Sequence, residues 1–251
     1  MTGEWIGDWH LGPGRLVVAG RFGSTQPHHH PAVQVTVALT GEFVASDGRD
    51  RRTCRAVLIP SGVRHALAPV DDTTRALSIY LHPATADARR LTGLAGEGPA
   101  GWSAAAEAAT RTTFDDDLSL EAMTESVLTA LRGRTPAPEA IPPKLRHAFD
   151  LLGALLPRKL YLRDLAAAVA LSQSSLSRLF AAETGAGFPA TVRWARLIHA
   201  LGEVGAGRTI TDAAHAAGFT DSAHATRVCR EMTGVAPSAL VRHRQLRADL
   251  G

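Results

Sequence analysis

Cysteine is nearly absent: Cys54 and Cys229 are the only two in 251 residues. That excludes a disulfide framework as the support of the fold. Long apolar runs are missing as well, and none reaches the ~18 residues that would suggest a membrane span. The opening MTGEWIGDWHLGPG has no basic stretch followed by an apolar one, so no secretion signal is expected. These absences leave a cytoplasmic protein with no membrane partner as the expected class. Lysine is missing from residues 1–135, where 13 arginines face 15 acids for a net charge of −2. Residues 136–251 instead carry 14 Lys plus Arg against 9 acids, a net +5. A basic C-terminal half suits contact with phosphates, although many solvated faces are as basic. What is present is ample: a hydrophobic fraction of 45% gives a chain of this length a real core, in one large domain or two smaller ones.

The two halves differ in pattern. Short apolar or alternating runs at Arg15 to Ala19, Val33 to Leu39, Glu42 to Ala45, Ala56 to Ile59 and Ala76 to Leu81 are separated by Gly, Pro, Asp and Ser. They predict strands of an antiparallel barrel or sandwich over residues 1–85. Residues 86–135 turn helical, at Ala86 to Leu94 and Leu118 to Leu131, with Asp115, Asp116 and Asp117 as candidate caps for the second. The stripe Leu120, Met123, Val127, Leu128 and Leu131 can pair two subunits in a homodimer or pack on its own barrel. Residues 136–143 form a proline-rich linker that cannot continue a helix. Residues 144–251 read as all helix.

Within that last part the same unit occurs twice. In YLRDLAAAVALSQSSLSRLFAAET, Leu162, Leu165, Ala166 and Val169 make one apolar face, and Ser172 caps a second helix. Leu176, Leu179 and Phe180 turn that helix inward and leave Gln173, Ser174, Ser177 and Arg178 outward. About 49 residues on, Ile210, Ala213, Ala214 and Ala217 repeat the first face, Gly218 allows the turn, and Asp221 caps. Ser222, Ala223, Thr226 and Arg227 then lie outward, Val228 and Cys229 inward, and Gly234 is a C-cap. Ala190 to Leu201 reads as a single helix joining the units, with Arg193 and Arg196 as candidate phosphate contacts. Two helix-turn-helix units on one rod suit double-stranded DNA, entering major-groove turns roughly 34 Å apart. Arg178 and Arg227 are the candidate guanine readers.

These residues resemble the AraC/XylS family of bacterial transcription regulators over roughly residues 144 to 244. The resemblance rests on Ile210, Ala214, Gly218, Phe219, Arg227, Gly234 and Pro237, and in the first unit on Leu165, Ala166, Ser172, Leu176, Arg178, Leu179, Phe180 and Gly185. It implies that the outward residues of both recognition helices read DNA. The chain departs from the pattern at Ala225 and Cys229, where the family commonly has phenylalanines. Smaller side chains there predict a weaker core in the second unit.

A histidine cluster marks the front half. His28, His29 and His30 precede a strand bearing Gln34, and the turn Pro60-Ser-Gly-Val-Arg-His65 supplies another imidazole. Alternation puts His28 and His30 on one side. If the strands curl, His28, His30 and His65 converge with the Gln34 carbonyl oxygen, a donor set suited to Zn, Ni, Fe or Mn. The run also resembles the cupin metal motifs, through Gly23, His28, His30, Gln34 and Gly41, then Pro60, Gly62 and His65. It has glutamine where metal cupins usually have glutamate, Cys54 where a glycine leads, and Pro69 where asparagine ends. An organic-effector pocket without metal, or a solvated histidine turn, remain the alternatives.

The expected fold is therefore α+β in two domains: a cupin-like antiparallel barrel, then an all-α domain with two helix-turn-helix units on a linking helix. The expected function is a regulator responding to a small molecule or metal, and not an enzyme. A cupin metalloenzyme with a DNA-binding tail is the rival, weakened because Gln34 cannot take a proton. A constitutive DNA binder whose barrel only dimerises is a third reading.

Overall fold

The computed structural model describes residues 6–21, 23–107, 109, 118–133, 140–235, 237 and 244–245. Eight strands come first: β1 (Ile6–Gly12), β2 (Arg15–Arg21), β3 (Val33–Thr40), β4 (Phe43–Ser46), β5 (Arg51–Cys54), β6 (Ala56–Ile59), β7 (Ala66–Pro69) and β8 (Arg75–Leu81). Helices α1 (Ala86–Thr92), α2 (Gly98–Ala106), α3 (Leu120–Arg132) and α4 (Pro143–Leu155) follow. The described chain then runs through α5 (Leu162–Ala168), α6 (Gln173–Thr184), α7 (Phe188–Gly205), α8 (Ile210–Ala216), α9 (Ser222–Thr233) and the short β9 (Arg244–Gln245).

The strands form two open sheets, and this corrects the expected cupin-like barrel. One sheet has six strands in the order β6-β3-β8-β2-β1-β9, and the other has three in the order β5-β4-β7. Among the described residues the terminal strands β6 and β9 pair with no second neighbour, so the larger sheet keeps two edges. It is not wholly antiparallel either, because β1 and β9 run parallel. The physical reason lies in residues 23–32. Pro27 and Pro31 lack the N–H that a ladder needs, and the segment makes only an isolated bridge, His28 to His65. No strand forms there to close a barrel.

Strands β2, β3 and β8 are buried on both sides because both faces of the large sheet are covered, although β3 alternates and turns Gln34 and Thr36 to one face. One face packs Val17, Val35, Leu58 and Ile79 against Leu91 of α1 and Leu120, Val127, Leu128 and Leu131 of α3. The candidate dimer stripe of α3 is thus used within the chain. Ser119 caps α3 by accepting from the Ala122 N–H, while Asp115–Asp117 fall outside the described residues. So do residues 136–139 of the expected linker. The opposite face packs Trp9, Leu16, Val18, Ile59 and Tyr80 against Phe43 and Leu67 of the small sheet. That same cluster continues into Trp194, Leu197, Phe219, Val228, Cys229 and Met232. The first helix-turn-helix unit has its own core of Leu145, Leu152, Leu165, Leu176 and Phe180. The sequence reading missed β1, β5, β7, α2 and β9, the last within a stretch expected to be helical; of these, β5 (RRTC) shows exposed arginines and no alternation to find it by.

Candidate DNA-reading units and histidine centre

Both recognition helices are fixed at each end by local chemistry. The Ser172 hydroxyl accepts from the Ser175 N–H at 3.1 Å and starts α6. The Asp221 carboxylate accepts from the His224 N–H at 2.6 Å and starts α9. Both helices stop at a left-handed glycine, Gly185 at φ +62 and Gly234 at φ +71, the backbone region in which a Cβ is penalised. The joining helix α7 has 18 residues, about 27 Å at the usual rise. Between α8 and α9, Gly218 takes φ +81 with the Leu156 carbonyl only 2.7 Å from where a Cβ would stand.

Of the candidate DNA contacts, Gln173, Ser174, Arg178, Ala223 and Arg227 are exposed, and Ser177, Ser222 and Thr226 are half-buried. The Thr226 hydroxyl donates to the Ser222 carbonyl at 2.8 Å. Arg193 and Arg196 are occupied inside the protein. Arg193 pairs with Glu231 at 2.9 Å, and Arg196 donates to the Arg158 carbonyl at 3.0 Å. Burial lowers the pKa of Arg196 from its ordinary value.

The histidines do converge, in spite of the open sheets. His28, His30 and His65 are each 1% exposed, as is Gln34. One ligand nitrogen from each histidine lies within 4.8 Å of the others, so the three can hold a divalent metal ion. His28 and His65 are brought together by mutual backbone hydrogen bonds of 2.9 Å in each direction. The Nδ1 atoms of all three rings face backbone carbonyls: Gln26 at 2.8 Å, Ala32 at 3.0 Å and Val63 at 2.9 Å. A carbonyl only accepts, so each Nδ1 carries the proton and each Nε2 presents a lone pair when the ring is neutral. The rings are neutral near pH 7. Burial, helped by neighbouring His30, holds His28 down to about 3. Burial likewise holds His30 at about 4 and His65 well below the usual imidazole range.

Gln34 completes the set. Its Oε1 lies 3.0 Å from His30 Nε2 and 3.0 Å from His65 Nε2. Its amide nitrogen donates to Thr36 Oγ1 at 2.9 Å, and Thr36 in turn meets Ser78 Oγ at 3.0 Å. With the Gln34 amide in this orientation, four electron-pair donors face one another with no proton between them. His28 Nε2 is buried with no hydrogen-bond partner. Imidazoles with Nδ1–H tied to carbonyls and Nε2 free are oriented as metal ligands are. His29, on the other side, is exposed, as alternation predicted. Aromatic rings close the site: Trp194 and Tyr80 each lie 5.3 Å from the His30 ring, and Trp102 lies 6.5 Å from that of His65. Sequence reading missed these three; their only signal is that large aromatics are scarce in a chain with four tryptophans.

The helix-turn-helix domain family matches residues 165–243. No curated protein sequence matches the chain. Among solved structures, an apo lysine-to-alanine variant of ToxT from Vibrio cholerae strain SCE256 superposes with a TM-score of 0.60 at 14% identity, covering 92% of this chain and 98% of that one. Wild-type ToxT of the same strain with an unsaturated fatty acid bound gives 0.58 at 12% identity, covering 92% and 95%. ToxT from Vibrio cholerae O395 gives 0.58 at 13% identity, covering 91% and 97%. The chain thus shares the two-domain α+β fold of ToxT, with open sheets in its first half and a helix-turn-helix domain in its second.

Proposed function

We propose that the protein is a sequence-specific DNA-binding transcription regulator whose first half senses a metal ion. The observation that carries the DNA reading is the pair of capped recognition helices on one 18-residue rod, with Arg178 and Arg227 exposed on their outer sides. Recognition helices of this kind place such residues in the major groove, with arginine on guanine the commonest base contact. Gln173, Ser174, Ser177, Ser222, Ala223 and Thr226 would share that surface. Arg193 and Arg196 already engage Glu231 and the Arg158 carbonyl through one nitrogen each. They therefore rank below the others.

The orphaned lone pair of His28 supports a metal as effector. Turning the Gln34 amide over would give His30 and His65 a donor each, yet would still leave His28 Nε2 without one. His28, His30, His65 and Gln34 would hold a late first-row divalent ion, for which imidazole is a suitable ligand. The rings of Trp194, Tyr80 and Trp102 crowd the centre, which favours a bare ion over an organic molecule. The deciding experiment selects genomic DNA fragments with the purified protein, with Zn in one arm and chelator in the other. One enriched motif whose strength differs between arms supports the whole reading. One motif of equal strength removes the metal as effector, and no motif in either arm overturns the regulator. Arg178→Ala and Arg227→Ala are each expected to weaken binding to that motif by about 1–3 kcal/mol where the arginine makes a bidentate base contact.

A further inference from the structure

The histidine centre lies between the C-terminal ends of both recognition helices. The Gln26 N–H donates to the Gly234 carbonyl at 3.1 Å, and the His29 N–H points to the Glu231 carbonyl at 3.4 Å. A Cβ on Gly234 would fall 2.7 Å from His28 Nδ1, 2.7 Å from the Gln26 carbonyl and 2.6 Å from Thr25 Cβ. The stop of α9 is therefore seated on the loop that carries His28. On the other side, the Gly62 N–H donates to the His30 carbonyl at 2.8 Å. Ser61, next to it, donates its hydroxyl to the Pro31 carbonyl at 2.7 Å and sets the same oxygen against the Thr184 carbonyl at the stop of α6. A Cβ on Gly185 would fall 2.6 Å from the Ser61 carbonyl. Trp194, from the rod between the units, covers His30.

We propose that a metal ion bound by His28, His30 and His65 ties the ends of both recognition helices to the sheet, so that metal occupancy sets how firmly the DNA-reading units are held. This rests on the metal reading above and adds its consequence. The loops 25–30 and 61–65 each offer a ligand on one side and a helix stop on the other. An ion between them makes the two loops one rigid body. Trp194 and the end of α9 pack directly against the buried ligands His30 and His28. By linkage, whatever holds the helix stops in place must then tighten metal binding, and metal must hold the stops.

The test uses the full-length protein, Zn and a chelator. Zn affinity is measured by competition with the chelator, and amide hydrogen exchange is followed with and without Zn. Zn is expected to slow exchange in α6, α7 and α9, as well as in the ligand loops. Gly185→Ala sets its Cβ against Ser61 and against no ligand, and it is expected to weaken Zn binding about ten-fold, the scale of outer contacts to a metal site. Gly207→Ala is the matched control, because Gly207 is also left-handed at φ +94 but has nothing within 4 Å of an added Cβ. It is expected to bind Zn as the unaltered protein does. Circular dichroism of both variants separates a lost fold from a lost tie. Protection confined to residues 25–36 and 58–68, with Gly185→Ala binding as Gly207→Ala does, overturns the tie and leaves the metal site. No Zn binding by the unaltered protein overturns the metal site itself.

Discussion

At the scale of single residues, the histidine centre is governed by where protons are absent. Carbonyls of Gln26, Ala32 and Val63 claim the Nδ1 protons, and burial keeps a second proton off each ring. Gln34 is held by Thr36, which is itself held by Ser78. All four proposed ligands are neutral, so a divalent ion held there would keep its full charge in a buried place, which is unfavourable. Gln34→Glu supplies a carboxylate at the same reach. It is expected to bind Zn more tightly than the unaltered protein in a chelator competition, and equal or weaker binding would place Gln34 outside the ligand set. Much of this centre is legible in sequence: His28, His30, Gln34 and His65 are all found by alternation and by a turn. The ring seal is not, because Trp194 lies more than a hundred residues away and nothing local marks it as a neighbour.

Among the elements, the helices of the second half are the most legible. Caps and stops are local chemistry, so Ser172, Asp221, Gly185 and Gly234 can be read directly from the chain. The joining helix is found as Ala190 to Leu201 and extends in fact from Phe188 to Gly205, its ends being the least marked part. Ser172→Ala should lower stability by about 1 kcal/mol, the usual size for a lost hydroxyl cap. The check is a shift of the urea midpoint with unchanged slope. The strands are less legible. The runs of β2, β3 and β8 stand out because they are covered on both sides. Strand β7 is ALAP, too short and small to stand out. The closed barrel is the instructive error: a motif of histidines and glycines suggested it, whereas Pro27 and Pro31 in the same motif prevent the strand that closure requires.

For the whole molecule, the boundary between halves is not where the core divides. The large sheet shares its core with the second helix-turn-helix unit, and the first unit keeps a separate one. Ala225 and Cys229, small where phenylalanines were expected, are 6% and 0% exposed in the shared core. The second unit fills its interior with sheet residues such as Tyr80, a departure from pattern that was visible in sequence although its meaning was not. Where β8 ends, His82 meets the Phe149 ring of α4 at 4.8 Å, and burial lowers its pKa to about 4. A depressed histidine binds its proton more readily unfolded, so stability is complete above the ordinary value near 6.5 and is lost as the pH falls towards 4. His82→Asn should therefore flatten the fall in thermal midpoint between pH 7 and pH 5. A fall as steep as before would show that His82 does not contribute.

The shared core also orders events during folding. The first reader draws its interior from residues 141 to 192, near neighbours along the chain. The second needs Trp9, Leu16 and Tyr80, more than a hundred positions earlier. Local contacts form sooner than distant ones. The first reader can mature while the rest is still loose, and the second matures only once the sheet exists. A molecule with both readers complete is consequently one whose large sheet is already built.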